Sequence, residues 1–316
     1  MNFGMARAIS NFSLLFSFGL LVVQPQRLFA RPQFPQTLES RPADLASRAE
    51  RGDPGAQYQL ARSILDRDSS PEVVQTGLEW LRASAAHGNP SAAFYLGYLY
   101  EHGRFVNLDC SLAFRNYELA ARAHYPPAEN NLAYLYQHGL GVQKDLDQAF
   151  EWYLAAADHG DPMGQYNLAT LYHRGNGTRQ DDAEAVHWLR VAADSGLPEA
   201  QADLAAFYLY GVAVKRDDRE AARLIRLAVE QGLASAETGL GFPYEQGKGV
   251  PLDYVAAYSW YSRAIAAGDI SSQDRRKRLA QIMTRKQLEA AASLTAREAP
   301  APPTSSAIAA FSLRDH

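Results

Sequence analysis

The chain has 316 residues, with 31 lysines and arginines against 35 aspartates and glutamates, and a single cysteine. This length allows one large domain or two ordinary ones, and the net charge of −4 gives no electrostatic basis for binding nucleic acid. One cysteine excludes a disulfide framework and a cysteine-rich zinc module, and no apolar run reaches the roughly 20 residues of a transmembrane helix.

Residues 1–30 are typical of a secretory signal peptide. They contain Arg7 and Arg27 but no acidic residue, and a largely apolar stretch occupies residues 12–23 before a proline. The alternatives are a short buried helix or an uncleaved anchor, but this stretch is too short to span a bilayer about 30 Å thick. We predict cleavage near Ala30 and a periplasmic or secreted protein, with residues 31–51 as the lead-in to the next domain.

The following part of the chain repeats with a period of 36 residues. At this spacing the same residue type recurs at equivalent positions, and each such set is called a column. Three of the columns are Leu60, Leu96, Leu132, Leu168, Leu204 and Leu240; Gly103, Gly139, Gly175, Gly211 and Gly247; and Asp109, Asp145, Asp181, Asp217 and Asp253. Chance does not hold several columns in phase without an insertion. We therefore predict a repeat domain over 52–267, made of repeats at 52–87, 88–123, 124–159, 160–195, 196–231 and 232–267.

Each repeat is predicted to form two antiparallel helices. In the second repeat, Ala92, Leu96 and Tyr100 lie on one helix face, and Gly103 ends that helix where a residue able to take positive φ is needed. The second helix begins at Asp109. Stacking of such pairs predicts an all-α solenoid of helix-turn-helix repeats.

The end of the repeat domain departs from this pattern. Pro243 falls inside the first helix of the sixth repeat, so we expect a bent or interrupted helix near residues 241–244. Helices over 268–298 are predicted to cap the array, and the proline-rich residues 299–316 are predicted to be disordered. The basic run 275–278 is either a docking patch or, as we favour, a solvated face of the cap.

The repeating polar residues favour structural roles over chemical ones. Each aspartate stands directly before a helix, which favours helix capping over a metal or acid–base site. The Gly-x-Gly pairs follow helices rather than strands and are predicted to be turns, not phosphate loops. The tryptophans are predicted to wedge between helices rather than to form a sugar platform. His102 and His138 are one repeat apart, about 10 Å, which is too far for a shared zinc ion.

We therefore predict no catalytic residues, no metal site and no cofactor. Cys110 is predicted to be an unreactive residue at a helix start.

The repeat resembles a known family. The pattern Leu132-Ala133-x-x-Tyr136-x-x-Gly139-x-Gly141, continued by Asp145, Ala149, Trp152 and Gly160, is similar to the Sel1-like repeat, a relative of the tetratricopeptide repeat. The resemblance implies a right-handed α/α solenoid whose first helices line a concave surface. It also implies that the segment 283–290 is an amphipathic cap helix.

The function that the resemblance implies is a non-catalytic scaffold or adaptor of the bacterial cell envelope, which binds a protein or peptide partner in its concave groove. The alternative is carbohydrate binding or hydrolysis of cell-wall or β-lactam substrates in the same groove. The cysteine-rich family members associated with β-lactams are not matched, because their paired cysteines are missing here. The sequence names neither the partner nor the oligomeric state.

By analogy with tetratricopeptide arrays, the groove should be lined two positions before and two positions after the repeating leucine of each first helix, and at the helix ends. The predicted partner-binding residues are Tyr58, Phe94, Tyr98, His102, Asn130, Tyr134, His138, Tyr166 and Arg174. The alternative is that the aromatic residues pack between neighbouring first helices. Histidines that contact the partner should make its affinity pH-sensitive between about 5 and 8.

Overall fold

The described part of the chain consists of paired α-helices. A computed structural model describes residues 42–67 and 70–298, and all the regular secondary structure in these ranges is helical. The predicted signal peptide, most of the lead-in and the predicted disordered tail lie outside the described residues. None of the described helices combines the length and apolar character needed to cross a membrane.

The helices follow the predicted 36-residue period. The first helices of the repeats are α2 (Pro54–Leu65), α4 (Pro90–His102), α6 (Pro126–His138), α8 (Pro162–Arg174), α10 (Pro198–Tyr210) and α12 (Ala234–Gln246). The second helices are α3 (Pro71–Ala86), α5 (Cys110–Ala121), α7 (Leu146–Asp158), α9 (Asp182–Asp194), α11 (Asp218–Glu230) and α13 (Tyr254–Ala266). Helix α1 (Pro42–Glu50) precedes them, and a 3₁₀ turn (Ile270–Ser272), α14 (Gln273–Ile282) and α15 (Arg285–Glu298) follow. The predicted all-α solenoid class is confirmed.

The aspartate column caps the second helices, as predicted. The Oδ1 atom of Asp145 accepts hydrogen bonds from the backbone N–H groups of Asp147 and Gln148, both at 3.0 Å. The side chains of Asp109, Asp181, Asp217 and Asp253 accept equivalent bonds. The side-chain amide of Gln148 donates to Glu151 at 2.8 Å, so at this helix start only the aspartate contributes to the cap.

The glycine column ends the first helices. Gly103, Gly139, Gly175 and Gly247 are C-caps with φ between 63° and 71°, in the left-handed region that glycine enters without a steric cost. The helix boundaries therefore follow from two columns of the sequence.

The described residues fall into two compact units, 42–200 and 201–298. In the first unit, leucines from the first helices and the rings of Tyr117 and Tyr153 are almost fully buried among alanines. Trp80, Trp152 and Trp188 are partly buried against this core, as predicted for wedges between helices. In the second unit, Leu279, Met283 and Ala291 cover Tyr261 of α13.

Helix α12 runs through Pro243 to Gln246, so an interruption at residues 241–244 is wrong. Proline cannot donate a backbone hydrogen bond, but it lies only three residues before the helix end, where its own carbonyl accepts from the N–H groups of Gly247 and Lys248. The last turn is therefore closed on the C-terminal side of the proline.

The cap differs in detail from the amphipathic helix expected over 283–290. Met283 lies in the turn after α14, and α15 begins only at Arg285. Thr284 and Gln287 form a capping box at this start: the Gln287 Oε1 atom accepts from the Thr284 N–H at 2.8 Å, and the Thr284 Oγ1 atom accepts from the Gln287 N–H at 3.3 Å. Within the basic run, Arg275 binds Glu245 at 3.1 Å while Lys277 and Arg278 are exposed.

Candidate functional site

The predicted partner-binding residues form two rows on α2, α4, α6 and α8. The earlier row lies two positions before the repeating leucine, and the later row lies two positions after it and at the helix ends. The two rows differ in burial. The earlier row is Tyr58, Phe94, Asn130 and Tyr166, and each of these residues is at most 7% exposed. The ring of Phe94 packs against Tyr117 and Tyr125, with centroids 5.6 and 5.4 Å away. The Nδ2 group of Asn167 on α8 donates to Asn130 Oδ1 at 2.8 Å. This row therefore packs inside the stack, as the alternative interpretation proposed.

Burial also affects the chemistry of the earlier row, because it raises the pKa of the Tyr58 hydroxyl to about 12. This hydroxyl stays protonated at physiological pH.

The later row reaches the surface as two tyrosine–histidine pairs one repeat apart. On α4 the ring of Tyr98 stacks on His102, with centroids 4.2 Å apart and an interplanar angle of 28°. On α6 the ring of Tyr134 packs against His138 at 4.3 Å and 44°. Both tyrosines are partly exposed and both histidines lie at the surface. We call these four residues the Tyr–His strip.

The spacing of the strip follows from the helix and the repeat. Residues four apart on a helix are neighbours on one face, which brings each tyrosine beside its histidine. Arg174 is exposed at the end of α8, the next first helix, in the column of the two histidines.

The surroundings of Tyr134 and His138 favour the neutral form of both rings. Burial, with the nearby charge of Lys144, lowers the pKa of His138 below its ordinary 6.5. Burial and the Glu101 carboxylate raise the pKa of Tyr134. At pH 7 this part of the strip therefore presents an uncharged phenol and an uncharged imidazole, which can donate and accept hydrogen bonds from an apolar body.

A set of partly buried polar contacts at the opposite end of the first helices was not predicted from the sequence. Each joins the fourth residue of a first helix to the residue that ends the second helix of the same repeat, 30 positions later. Gln57 Oε1 lies 2.8 Å from His87 Nδ1, Glu129 Oε2 lies 2.8 Å from His159 Nδ1, and Gln231 Nε2 donates to Gln201 Oε1 at 2.9 Å. We call these contacts the inter-helix latch. Comparison of the repeats column by column could have found it.

These helix pairs, which recur and are capped at a 36-residue period, define an α-solenoid repeat protein. Six consecutive segments match the Sel1 repeat, at residues 54–89, 90–125, 126–161, 162–197, 198–233 and 234–269. The chain belongs to the Sel1-repeat family, as the sequence resemblance predicted.

Two solved structures are similar to this chain. One is a protective antigen present in uropathogenic Escherichia coli strains that displays an SLR fold, with 27% identity, a TM-score of 0.72, and coverage of 79% of this chain and 54% of that chain. This chain thus spans about half the length of that antigen. The other is a Sel1 repeat protein from Oxalobacter formigenes, with 27% identity, a TM-score of 0.65, and coverage of 76% and 96%. No curated protein matches the chain significantly.

Proposed function

We propose that this protein is a non-catalytic scaffold that binds a protein or peptide partner through the Tyr–His strip. The observation that carries the proposal is the recurrence of the same stacked pair, Tyr98 with His102 and Tyr134 with His138, on two successive first helices. The Sel1-repeat fold supports a role in protein–protein interaction. Aromatic side chains with a polar tip are the residue types that dominate interface energetics.

The contact surface that we propose is smaller than the set of residues predicted from the sequence. Tyr58, Phe94, Asn130 and Tyr166 are buried, so a partner could reach them only if the first helices moved apart. The proposed contact surface therefore consists of the Tyr–His strip with Arg174 at its edge, across the second to fourth repeats. The buried row holds the first helices at the spacing that sets the distance between the two stacked pairs.

We place this scaffold in the bacterial cell envelope. The support is the composition of residues 1–30, with a basic start, an apolar stretch and a small residue at position 30. The description of the similar Escherichia coli protein as a protective antigen fits an exported relative.

The double substitution Tyr98→Ala, Tyr134→Ala tests the binding surface. Both side chains are partly exposed, so their removal should leave the helical content intact while it weakens partner capture at least tenfold, about 1.4 kcal/mol. The measurement is quantitative capture of partners from envelope extract on full-length protein expressed in a Gram-negative host. N-terminal sequencing of the recovered protein reports whether residues 1–30 were removed.

Leu119→Ala is the matched control. Leu119 lies on α5, a second helix in the same part of the stack, and is 50% exposed. Its removal deletes exposed apolar surface outside the strip and should leave capture unchanged. Capture at wild-type strength by a folded double variant would contradict the proposed surface, and an intact Met1 on protein from the cytoplasm would contradict export.

A further inference from the structure

Three potential metal ligands converge where the third repeat begins. Glu129 on α6 is 1% exposed, and its carboxylate oxygens lie 2.8 and 3.0 Å from Nδ1 of His159, the residue that ends α7. His124, in the turn after α5, places its Nδ1 3.8 Å from the same carboxylate. The ligand atoms of the three side chains all lie within 4.8 Å of one another, and no other such group of three occurs in the part of the chain that the structure describes.

His124 occupies a backbone position that glycine holds elsewhere. Its φ is 54°, while the equivalent Gly88, Gly160 and Gly196 have φ of 86°, 84° and 89°. A residue with a Cβ atom is strained in this region, and glycine is not. The chain thus places an imidazole at a strained position beside the buried carboxylate of the same repeat.

The inter-helix latch explains the hydrogen bond between Glu129 and His159. It does not explain why residue 129 is an acid rather than an amide, or why residue 124 is a histidine. In the first repeat the latch pairs Gln57 with His87, and Gly52 stands at the position of His124. A neutral amide therefore serves the latch without a second histidine. In the sixth repeat the equivalent carboxylate, Glu237, is neutralised by Arg263 at 2.7 Å. The carboxylate of Glu129 faces two imidazoles instead.

We propose that His124, Glu129 and His159 bind one divalent transition-metal ion of the zinc class. Imidazole nitrogen and carboxylate oxygen are the ligands of zinc sites with three protein ligands, in which a water molecule takes the fourth position. Bonds of about 2.1 Å in a tetrahedron place neighbouring ligand atoms about 3.4 Å apart, close to the 2.8 and 3.8 Å separations seen here. Both histidines are exposed, so an ion can enter from solvent.

The ion would replace the contact between His159 and Glu129 with two metal bonds. It would also join the turn that follows α5 to the end of α7.

The chain itself supplies variants that remove each ligand at low structural cost. His124→Gly introduces the residue of the equivalent positions 88 and 160, and Glu129→Gln introduces the residue of positions 57 and 165. His159→Gln introduces the residue of position 231, which serves the latch of the fifth repeat. The matched control is His87→Gln, because His87 ends the second helix of the first repeat but faces an amide.

The test is to add zinc chloride to the full-length protein, which carries no histidine tag and has been treated with a chelator. Competition against a chromogenic chelator should give one bound zinc ion per chain, and zinc should raise the melting temperature. His124→Gly and Glu129→Gln should weaken zinc binding at least tenfold and abolish the rise in melting temperature, while His87→Gln behaves like the wild type. His124→Gly without zinc should melt at or above the wild-type temperature, because the strain at residue 124 is relieved.

Two results would overturn the proposal. The first is a wild-type protein that takes up less than one equivalent of zinc at micromolar concentration. The second is zinc binding of wild-type strength in both folded variants, His124→Gly and Glu129→Gln. If His124→Gly lost its helical signal, Glu129→Gln would decide between the outcomes, because a glutamine at this position keeps the latch in the first repeat.

Discussion

Two successive repeats bury a tyrosine at the same position, and the tyrosine hydroxyl has a different hydrogen-bond acceptor in each. The hydroxyl of Tyr117 donates to Glu101 at 2.6 Å, and the hydroxyl of Tyr153, 36 residues later, donates to Gln137 at 2.9 Å. Both rings are almost fully buried. The hydrogen bond satisfies the phenol in each case, but only the glutamate can change its charge with pH.

The substitution Glu101→Gln should make stability less dependent on pH. Burial raises the pKa of the Glu101 carboxyl in the folded state, although the Tyr117 hydroxyl bond opposes this shift. The folded protein therefore holds this proton more tightly than the unfolded chain does. The stabilisation is complete below the unfolded pKa, about 4.3, and is lost as pH rises through the folded pKa. In urea unfolding, the free energy of the variant relative to the wild type should thus increase between pH 4 and pH 7.

Gln137→Glu provides the reverse change in the next repeat. It should introduce the same loss of stability with rising pH, because Tyr153 is as deeply buried as Tyr117. Parallel stability curves for the wild type and both variants would show that these two carboxyls have the same pKa in the folded and unfolded states, contrary to this argument.

At the scale of single residues, the sequence predicted the helix caps but only part of the surface. Asp145 and Gly139 stand in columns whose local geometry is determined within a few residues, so their roles could be predicted. The burial of Asn130 could not, because it depends on a contact with Asn167 on the next first helix. His124 stands in a column that is otherwise glycine, but its backbone strain became apparent only when the turn geometry was known.

Neighbouring helix pairs approach each other backbone to backbone at a second glycine position. A Cβ atom at Gly141, in the turn after α6, would lie 2.1 Å from the carbonyl oxygen of Cys110 at the start of α5. The same distance separates a Cβ at Gly177 from the carbonyl oxygen of Leu146. Cys110 therefore has a packing role through its backbone, in agreement with its prediction as a helix-start residue.

Gly141→Ala and Gly160→Ala should differ greatly in their effect on stability. Both glycines have positive φ, 70° and 84°, but a Cβ at Gly160 would have nothing within 4 Å. Gly160→Ala should therefore cost only the conformational penalty, about 1–2 kcal/mol. Gly141→Ala should cost about 1–3 kcal/mol more, because the turn must move away from α5. Denaturant unfolding of both variants measures the difference.

Equal losses of unfolding free energy in Gly141→Ala and Gly160→Ala would show that the turn at residue 141 shifts without loss of packing. Phe105 holds the same position in the second repeat with a φ of 64°, so the left-handed conformation alone does not exclude a side chain there. The difference between the two variants therefore isolates the contact with the preceding helix from the backbone conformation.

The sequence predicted the helices better than their irregularities. The period of 36 determines which segments become helices, since the leucine and glycine columns define a face and an end for each one. Pro243 was expected to bend or interrupt α12. The helix is not interrupted, because it ends within one turn of the proline. The cluster of His124, Glu129 and His159 combines a turn residue, a residue of α6 and a residue 30 positions further on, so no single helix pattern indicates it.

The core of the first three repeats is continuous from repeat to repeat. One cluster of buried residues extends from Tyr58 in the first repeat to Leu135 in the third, and Leu99, Leu132 and Leu135 are fully buried within it. Each helix pair therefore covers apolar surface of its neighbours. The stability of a repeat depends on the stack rather than on the repeat alone.

A fragment of two repeats, residues 88–159, should not fold, whereas residues 42–200 should. The Arg62 guanidinium carbon lies 4.4 Å from the centroid of the Tyr95 ring. Removal of the first repeat deletes this contact and uncovers the apolar face of α4. Removal of the fourth repeat uncovers α6 and α7 in the same way. Two pairs cannot bury enough surface to offset the loss of chain entropy, and at least three repeats are needed in such arrays. Circular dichroism melting curves of the two fragments make the comparison.

A cooperative melting transition in the fragment 88–159 would contradict this view of the stack. It would mean that contacts inside one repeat, such as the caps and the bond between Tyr117 and Glu101, are sufficient for folding. The complete Tyr–His strip lies within these residues, so such a fragment should then capture the partner by itself. Failure of 88–159 to fold, with capture retained by 42–200, would instead show that the outer repeats are needed to hold Tyr98 and Tyr134 at their spacing.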